Sequence, residues 1–224
     1  MNKKTYISVS TDPIKDESKV IDYARFMQGK ADMLHCDIMD GKFVTAETYN
    51  SSLVQAINEN SLIMLDVHLM CAEPLDSIDD YLDAGANIIT VHYEAFQDKN
   101  DIVKAIEKIK KADALAGLSI RPETPIKEIK MFLHALDLVL VMSVVPGASG
   151  QSFMPESLEK IKELDALRIG NNYSYKIEVD GGINENNSDS IIEAGADILV
   201  SGSYVYGAKD RMIAMNKLRG VIKK

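Results

Sequence analysis

Two stretches of the chain set ionisable side chains at the ends of apolar runs, Met33-Leu34-His35-Cys36-Asp37 and Leu65-Asp66-Val67-His68, and a third run closes on Asp180. Such groups are costly to bury unless they are paired, hydrogen-bonded or bound to a metal. If the runs are strands, side chains two apart share a face, so His35 and Asp37 project together and Cys36 points the other way. With His68 and Asp180 from neighbouring sectors, the set becomes two imidazoles and two carboxylates. Mixed nitrogen and oxygen donors suit Zn²⁺, Mn²⁺ or Fe²⁺, and poorly suit a thiolate-preferring structural zinc site. His92 also ends a run as a polar group at the same mouth. Asp66 and Asp40 read as strand-end hydrogen bonders, and Asp40-Gly41 as a turn.

A second collection suits an anion. Pro146-Gly147-Ala148-Ser149-Gly150-Gln151 follows one apolar run, Asp180-Gly181-Gly182 ends the next, and Gly202-Ser203 ends the last. Glycines let backbone approach a ligand closely and aim successive N–H groups at negative charge.

These groups need a scaffold that gathers strand ends. Apolar runs at Tyr6–Ser10, Met33–Asp37, Leu62–Leu69, Ile88–His92, Leu115–Ile120, Leu138–Ser143, Lys176–Asp180 and Ile198–Gly202 alternate with amphipathic segments. Their continuous apolarity suits parallel strands covered on both faces. Between them, DKNDIVKAIEKIKKA and PESLEKIKELDALR carry apolar residues at helical spacing, with Pro155-Glu156 suited to a first helical turn. The phrase Gly-(x)-Ala-Asp/Asn recurs at Gly29, Gly85 and Gly195, between a helical segment and an apolar run. Glycine there suits a helix C′ position. Strand–helix units repeated eight times predict a closed (β/α)8 barrel, a single domain over 1–224, whose strand ends and following loops form the active face.

The chain has 224 residues, 46% hydrophobic and 26% charged, with a formal net charge of −9. This acidity argues against a nucleic-acid or membrane-surface partner. Apolar runs fall short of the roughly 18 residues that span a membrane. Met1–Pro13 lacks the apolar segment of a signal peptide. Cys36 and Cys71 have no CxxC or zinc-knuckle spacing and read as free thiols of a cytoplasmic protein.

Taken together, these pieces resemble the ribulose-phosphate 3-epimerase family of (β/α)8 barrels, from about Ile7 to Gly207. HCDIMDGKFV looks like the family's H-x-D-x-M-D-G-x-F-V, and LDVHLM like its D-x-H-L-M. AGANIITVH, DLVLVMSVVPGASGQSFMPESLEKI, IEVDGGIN and AGADILVSGS match further blocks in order. The resemblance implies a TIM barrel of the ribulose-phosphate-binding type, with one divalent metal (Zn, Fe(II) or Mn) per subunit held by His35, Asp37, His68 and Asp180. Asp37 and Asp180 would be the acid/base pair. Ser10, His68, Gly147, Ala148, Ser149, Gly150, Gly181, Gly182, Gly202 and Ser203 would contact a sugar phosphate. Met39, Met70 and Met142 would surround the reacting carbons. It also implies a homo-oligomer, and C3 epimerisation between D-ribulose 5-phosphate and D-xylulose 5-phosphate.

The rim departs from the family pattern. An I-L-S-like stretch after Ser10 is replaced by Thr11-Asp12-Pro13, and the usual Pro-Asn after Phe43-Val44 by Thr45-Ala46-Glu47-Thr48. The G-F-G-G loop becomes Gly147-Ala148-Ser149-Gly150, and N-P-x-T-P becomes Arg121-Pro122-Glu123-Thr124-Pro125. A 3-epimerase of a longer ketose phosphate, such as D-allulose 6-phosphate, is therefore the rival reading. A barrel aldolase or decarboxylase would want a lysine at a strand end, and none of the runs ends in one. A non-catalytic sugar-phosphate-binding barrel is the remaining alternative.

Overall fold

The apolar runs become eight parallel strands in the computed structural model, which describes residues 4–148 and 150–220. They are β1 (Tyr6–Ser10), β2 (Met33–Met39), β3 (Met64–Met70), β4 (Ile88–His92), β5 (Leu115–Ile120), β6 (Leu138–Met142), β7 (Lys176–Asp180) and β8 (Ile198–Ser201). Each pairs with the next, and β8 pairs with β1 to close the barrel. Closure removes sheet edges and gives every strand two covered faces.

The outer layer comprises α1 (Ser18–Met27), α2 (Ser51–Asn60), α3 (Pro74–Asp83), α4 (Lys99–Lys111), α5 (Ser157–Asn171), α6 (Ser188–Ala194) and α8 (Arg211–Leu218), with a short α7 (Ser203–Tyr206) after β8. Asp98 caps α4 by accepting from the Asn100 amide. The Pro155-Glu156 pair precedes α5 instead of opening it. Ser157 N–H and Oγ–H are both held by the Met154 carbonyl, and the helix begins at Ser157, two residues later. The crossover from β5 to β6 departs from the regular unit. It contains only a 3₁₀ turn at Ile126–Glu128, beside Pro122 and Pro125, which lack amide donors.

The recurring glycines behave as their spacing predicts: Gly29, Gly85 and Gly195 have φ of +73°, +92° and +120° as the chain leaves a helix. A Cβ on Gly195 would lie 2.5 Å from the Asp165 side chain, so no larger residue fits that turn.

Alternate residues of each strand feed two cores. Leu34, Cys36, Val67, Ile89 and Val139 pack beneath the helices, whereas Met33, Ile88, Leu138, Leu140 and Ile198 fill the lumen. Truncating a side chain such as Leu34, fully buried, costs about 2–5 kcal/mol. The lumen becomes polar toward the carboxyl ends of the strands. There His35, Asp37, Asp66, His68, Thr90, His92 and Glu178 are buried.

Candidate active site

Strand register assembles the site. Asp37 lies opposite His68 across the β2–β3 pair, Ser10 opposite His35 across β1–β2, and Met142 opposite Asp180 across β6–β7. One donor atom from each of His35, Asp37, His68 and Asp180 falls within 4.8 Å of all the others. Cys36, one residue out of phase, lies in the helix-facing core as its strand position requires.

Asp37 is heavily supported. Ser10 Oγ donates to its Oδ2 at 2.8 Å, while Oδ1 is 3.3 Å from both His35 Nε2 and His68 Nδ1. Burial opposes its charge, but the adjoining His35 and His68 outweigh burial and hold the carboxyl well below the usual range. Asp180 sits in the opposite regime. Burial and the neighbouring Asp37 charge push it up to about 7, with His35 opposing. Two carboxyls a few ångströms apart thus have opposed proton affinities, the arrangement that separates an acid from a base.

The two imidazoles are anchored from behind. His35 Nδ1 lies 2.6 Å from Asp66 Oδ2, which also accepts from Ser8 Oγ at 2.9 Å. Burial disfavours a charge on His35, yet Asp66 and Asp37 raise its pKa well above the ordinary value. His68 Nε2 lies 2.9 Å from His92 Nε2, and burial drives the pKa of His68 down. Glu178 is fully buried beneath this layer, and neither of its carboxyl oxygens has a hydrogen-bond partner among the described residues. Burial and the Asp66 charge raise its pKa well above the carboxylate range.

These residues fit a divalent ion. His35 Nε2 is buried without any hydrogen-bond partner and lies beside Asp37, while its other nitrogen is already engaged by Asp66. An oriented imidazole nitrogen with no protein partner, set among carboxylates, is the donor chemistry of a first-row metal site once its proton has left.

Above the four residues opens a pocket of ≈ 570 Å³. Ser10, Asp37, Asp180, Gly147, Ala148, Gly150, Gly181, Gly182, Gly202 and Ser203 line it, as do Met39, Met70 and Met142. His68 does not; it is fully buried below the floor. Ser149 lies outside the described residues. The glycine loops need their glycines at two points. A Cβ on Gly182 (φ +66°) would be 2.4 Å from the Phe153 amide nitrogen, and one on Gly147 (φ +116°) would be 3.1 Å from Val44. Gln151 braces its loop by donating to Val145 O at 2.6 Å and Ala148 O at 2.9 Å.

The matching of the Ribulose-phosphate 3 epimerase family model to residues 7–206 accounts for this arrangement. The chain belongs to the ribulose-phosphate 3-epimerase family. The ribulose-phosphate 3-epimerase of Bacillus subtilis (strain 168) is 42% identical over 196 residues, covering 86% of this chain and 88% of that protein. That of Aquifex aeolicus (strain VF5) is 39% identical over 196 residues, covering 88% and 87%. The chloroplastic ribulose-5-phosphate-3-epimerase of Arabidopsis thaliana is 40% identical over 188 residues, 84% of this chain and 66% of that one. A 3-keto-L-gulonate-6-phosphate decarboxylase from Vibrio cholerae superposes with a TM-score of 0.71 at 13% identity, covering 99% of this chain and 100% of its own, a likeness of fold alone. As a family member the chain is an isomerase acting on carbohydrate, an epimerase of pentose phosphate.

Several groups that surround the site carry little signal in the sequence. By sequence Asp66 is a strand-end hydrogen bonder, Glu178 carries no signal of its own, and Glu94 stands outside every strand. Their signal was period two: Asp66 with His68 and Glu178 with Asp180 share the spacing of His35 with Asp37, so all six face the lumen. Asp40 does more than turn the chain. Its carboxylate accepts from the Lys42 and Phe43 amides and, at 2.7 Å, from Ala72, tying the loops after β2 and β3 together. Among the described residues no helix is long and apolar enough to cross a membrane.

Proposed function

We propose that the chain interconverts D-ribulose 5-phosphate and D-xylulose 5-phosphate by two-base proton transfer at C3. The observation that carries this reading is the pair Asp37 and Asp180, adjoining in one pocket with opposed proton affinities. The C3 proton is acidified by the neighbouring C2 ketone. Epimerisation removes it from one face and returns a proton to the other, so two carboxyls on opposite sides of C3 are required. One takes the proton as base while the other, holding a proton, delivers it to the enediolate. The roles exchange in the reverse direction. General acid–base catalysis of this kind supplies typically ~10²–10⁴-fold.

His35, Asp37, His68 and Asp180 would hold one divalent ion per subunit, with Zn²⁺, Fe²⁺ and Mn²⁺ all suited to the donor set. When bound, such an ion supplies Lewis-acid stabilisation of negative charge developing beside the ketone. Ser10 keeps Asp37 oriented through its 2.8 Å hydrogen bond. Met39, Met70 and Met142 give the pocket an apolar, polarizable wall that excludes water from the reacting carbons. The loops carrying Gly147–Gly150 and Gly181-Gly182, with Gly202-Ser203 at the start of α7, offer backbone amides to the phosphate. Cytoplasmic location and a homo-oligomeric assembly belong to the same reading, the latter measured by light scattering of the purified protein.

The deciding experiment assays the metal-defined protein in D₂O. Deuterium incorporation at C3 with inversion supports the reading, and sugar-phosphate binding without exchange would reduce the chain to a binding protein. One observation favours a second substrate: Asp12, in place of an apolar residue of the family pattern, lines the pocket. A longer ketose phosphate such as D-allulose 6-phosphate brings an additional hydroxyl for such an acceptor. The ratio of turnover rates on the two substrates separates the readings.

A further inference from the structure

His92 and Glu94 lie outside the four-residue cluster and do not line the pocket, yet they continue it. His68 Nε2 is 2.9 Å from His92 Nε2, and His92 Nδ1 is 3.0 Å from Glu94 Oε2. His68 and His92 are fully buried, and their rings stack with centroids 4.9 Å apart. Glu94 is itself locked in place. Its Oε1 accepts from the Arg121 amide at 2.8 Å and from Thr124 Oγ1. Lys160 Nζ fastens that loop by donating to the carbonyls of Arg121, Pro122 and Thr124 at 2.9, 2.6 and 2.6 Å. The Arg121 guanidinium lies 4.3 Å over the Phe43 ring, and that ring lies 4.8 Å from His92, closing the relay from above.

Hydrogen-bond polarity follows from one end of this chain. A carboxylate only accepts, so His92 Nδ1 carries the hydrogen that meets Glu94. A neutral His92 then presents a bare Nε2, which accepts from His68 Nε2–H. At the other end the Asp37 carboxylate, 3.3 Å from His68 Nδ1, competes for the same ring hydrogen, and the shorter 2.9 Å contact to His92 is what holds that hydrogen on Nε2 and leaves the lone pair on Nδ1. On the opposite side of Asp37 the anchoring takes one step, with Asp66 engaging His35 Nδ1 and Nε2 left without a hydrogen-bond partner.

We propose that Glu94, acting through His92, sets the tautomer of His68 and thereby aims its Nδ1 lone pair at the site shared by Asp37 and Asp180. Both are positioning residues, since neither reaches the pocket. The role deepens the metal reading above and rests on it for its binding arm. Outer partners of a ligating histidine typically contribute ~10–100-fold to metal affinity.

The test has two arms on the full-length protein. In the first, Zn²⁺ dissociation constants come from chelator competition and Co²⁺ loading from its visible spectrum, for wild type, Glu94→Gln and Glu94→Leu. The expected result is a loss of ~10–100-fold for Glu94→Leu, with Glu94→Gln, which keeps an acceptor oxygen, losing clearly less. Circular dichroism identifies folded variants. A folded Glu94→Leu that binds within about twofold of wild type overturns the proposal, and so does a Glu94→Gln loss as large as that of Glu94→Leu. In the second arm, long-range ¹H–¹⁵N correlation on metal-free wild type assigns the His68 tautomer. Nε2–H supports the proposal and Nδ1–H overturns it, whether or not any variant folds. Wild type that binds no divalent ion would instead overturn the metal reading, leaving the tautomer measurement to judge this one.

Discussion

The two halves of the site are built to different standards. On the β2–β3 side, Asp37 has a hydroxyl donor and two imidazoles, and each imidazole has a partner behind it. On the β7 side, among the described residues, no protein donor meets the Asp180 carboxyl, which is half-buried at the pocket floor. The first half is a cluster whose carboxyl is held well below the usual range; the second is a carboxyl that burial and its neighbour's charge push up to about 7. A two-base reaction gains from this asymmetry, because one group must begin empty and the other loaded.

Asn substitutions test that contrast most severely. Asp37→Asn and Asp180→Asn are each expected to lower kcat by ~10²–10⁴-fold or more with the fold retained. Their stabilities should part: Asp37→Asn strands two buried imidazoles and lowers the melting temperature, whereas Asp180→Asn removes repulsion and leaves it unchanged or higher. Full activity in either variant would break the two-base assignment.

A pH series on metal-free protein sharpens the comparison next. A proton on Asp180, held up to about 7, must leave before a cation can bind there. Cation affinity should therefore rise with pH through about 7 and go on rising until the His35 ring has also lost its proton. The sign for stability is the reverse. A carboxyl whose pKa is raised from 3.8 makes the native state bind more protons than the unfolded chain, so native stability falls as pH rises from 3.8 through about 7. Asp180→Asn should flatten that slope in thermal melts, and an unchanged slope would assign it elsewhere.

The smallest effect belongs to Ser10. Ser10→Ala deletes one donor to Asp37 Oδ2, a loss of about 1 kcal/mol, or near fivefold in kcat with KM for the sugar phosphate little changed. A loss as large as that of Asp37→Asn would mean that the hydroxyl itself takes part in proton transfer.

Much of the site was legible because period two is strict. Once His35 and Asp37 are assigned to a strand, their shared face follows, and so does the exclusion of Cys36. The same rule applied to Asp66 and Glu178 points both into the lumen, but period alone does not distinguish a buried carboxyl that supports a ligand from one that merely ends a strand. Their partners, Ser8 and His35 for Asp66, come from other strands at separations of 58 and 31 residues. Glu94 was less legible still. It leaves the strand pattern at a 3₁₀ turn, and its value depends on Arg121 and Thr124 on the next loop.

By itself the sequence determined the barrel, through continuous apolar runs, helical spacing and glycines at helix ends. It also determined the four residues that meet, because each sits at the carboxyl end of a run where barrel geometry collects side chains. Tertiary structure alone decided how those four differ. Proton affinity and lone-pair direction are set by neighbours brought from distant strands into a low-dielectric interior, where a charge or a donor a few ångströms away outweighs a residue's own chemistry.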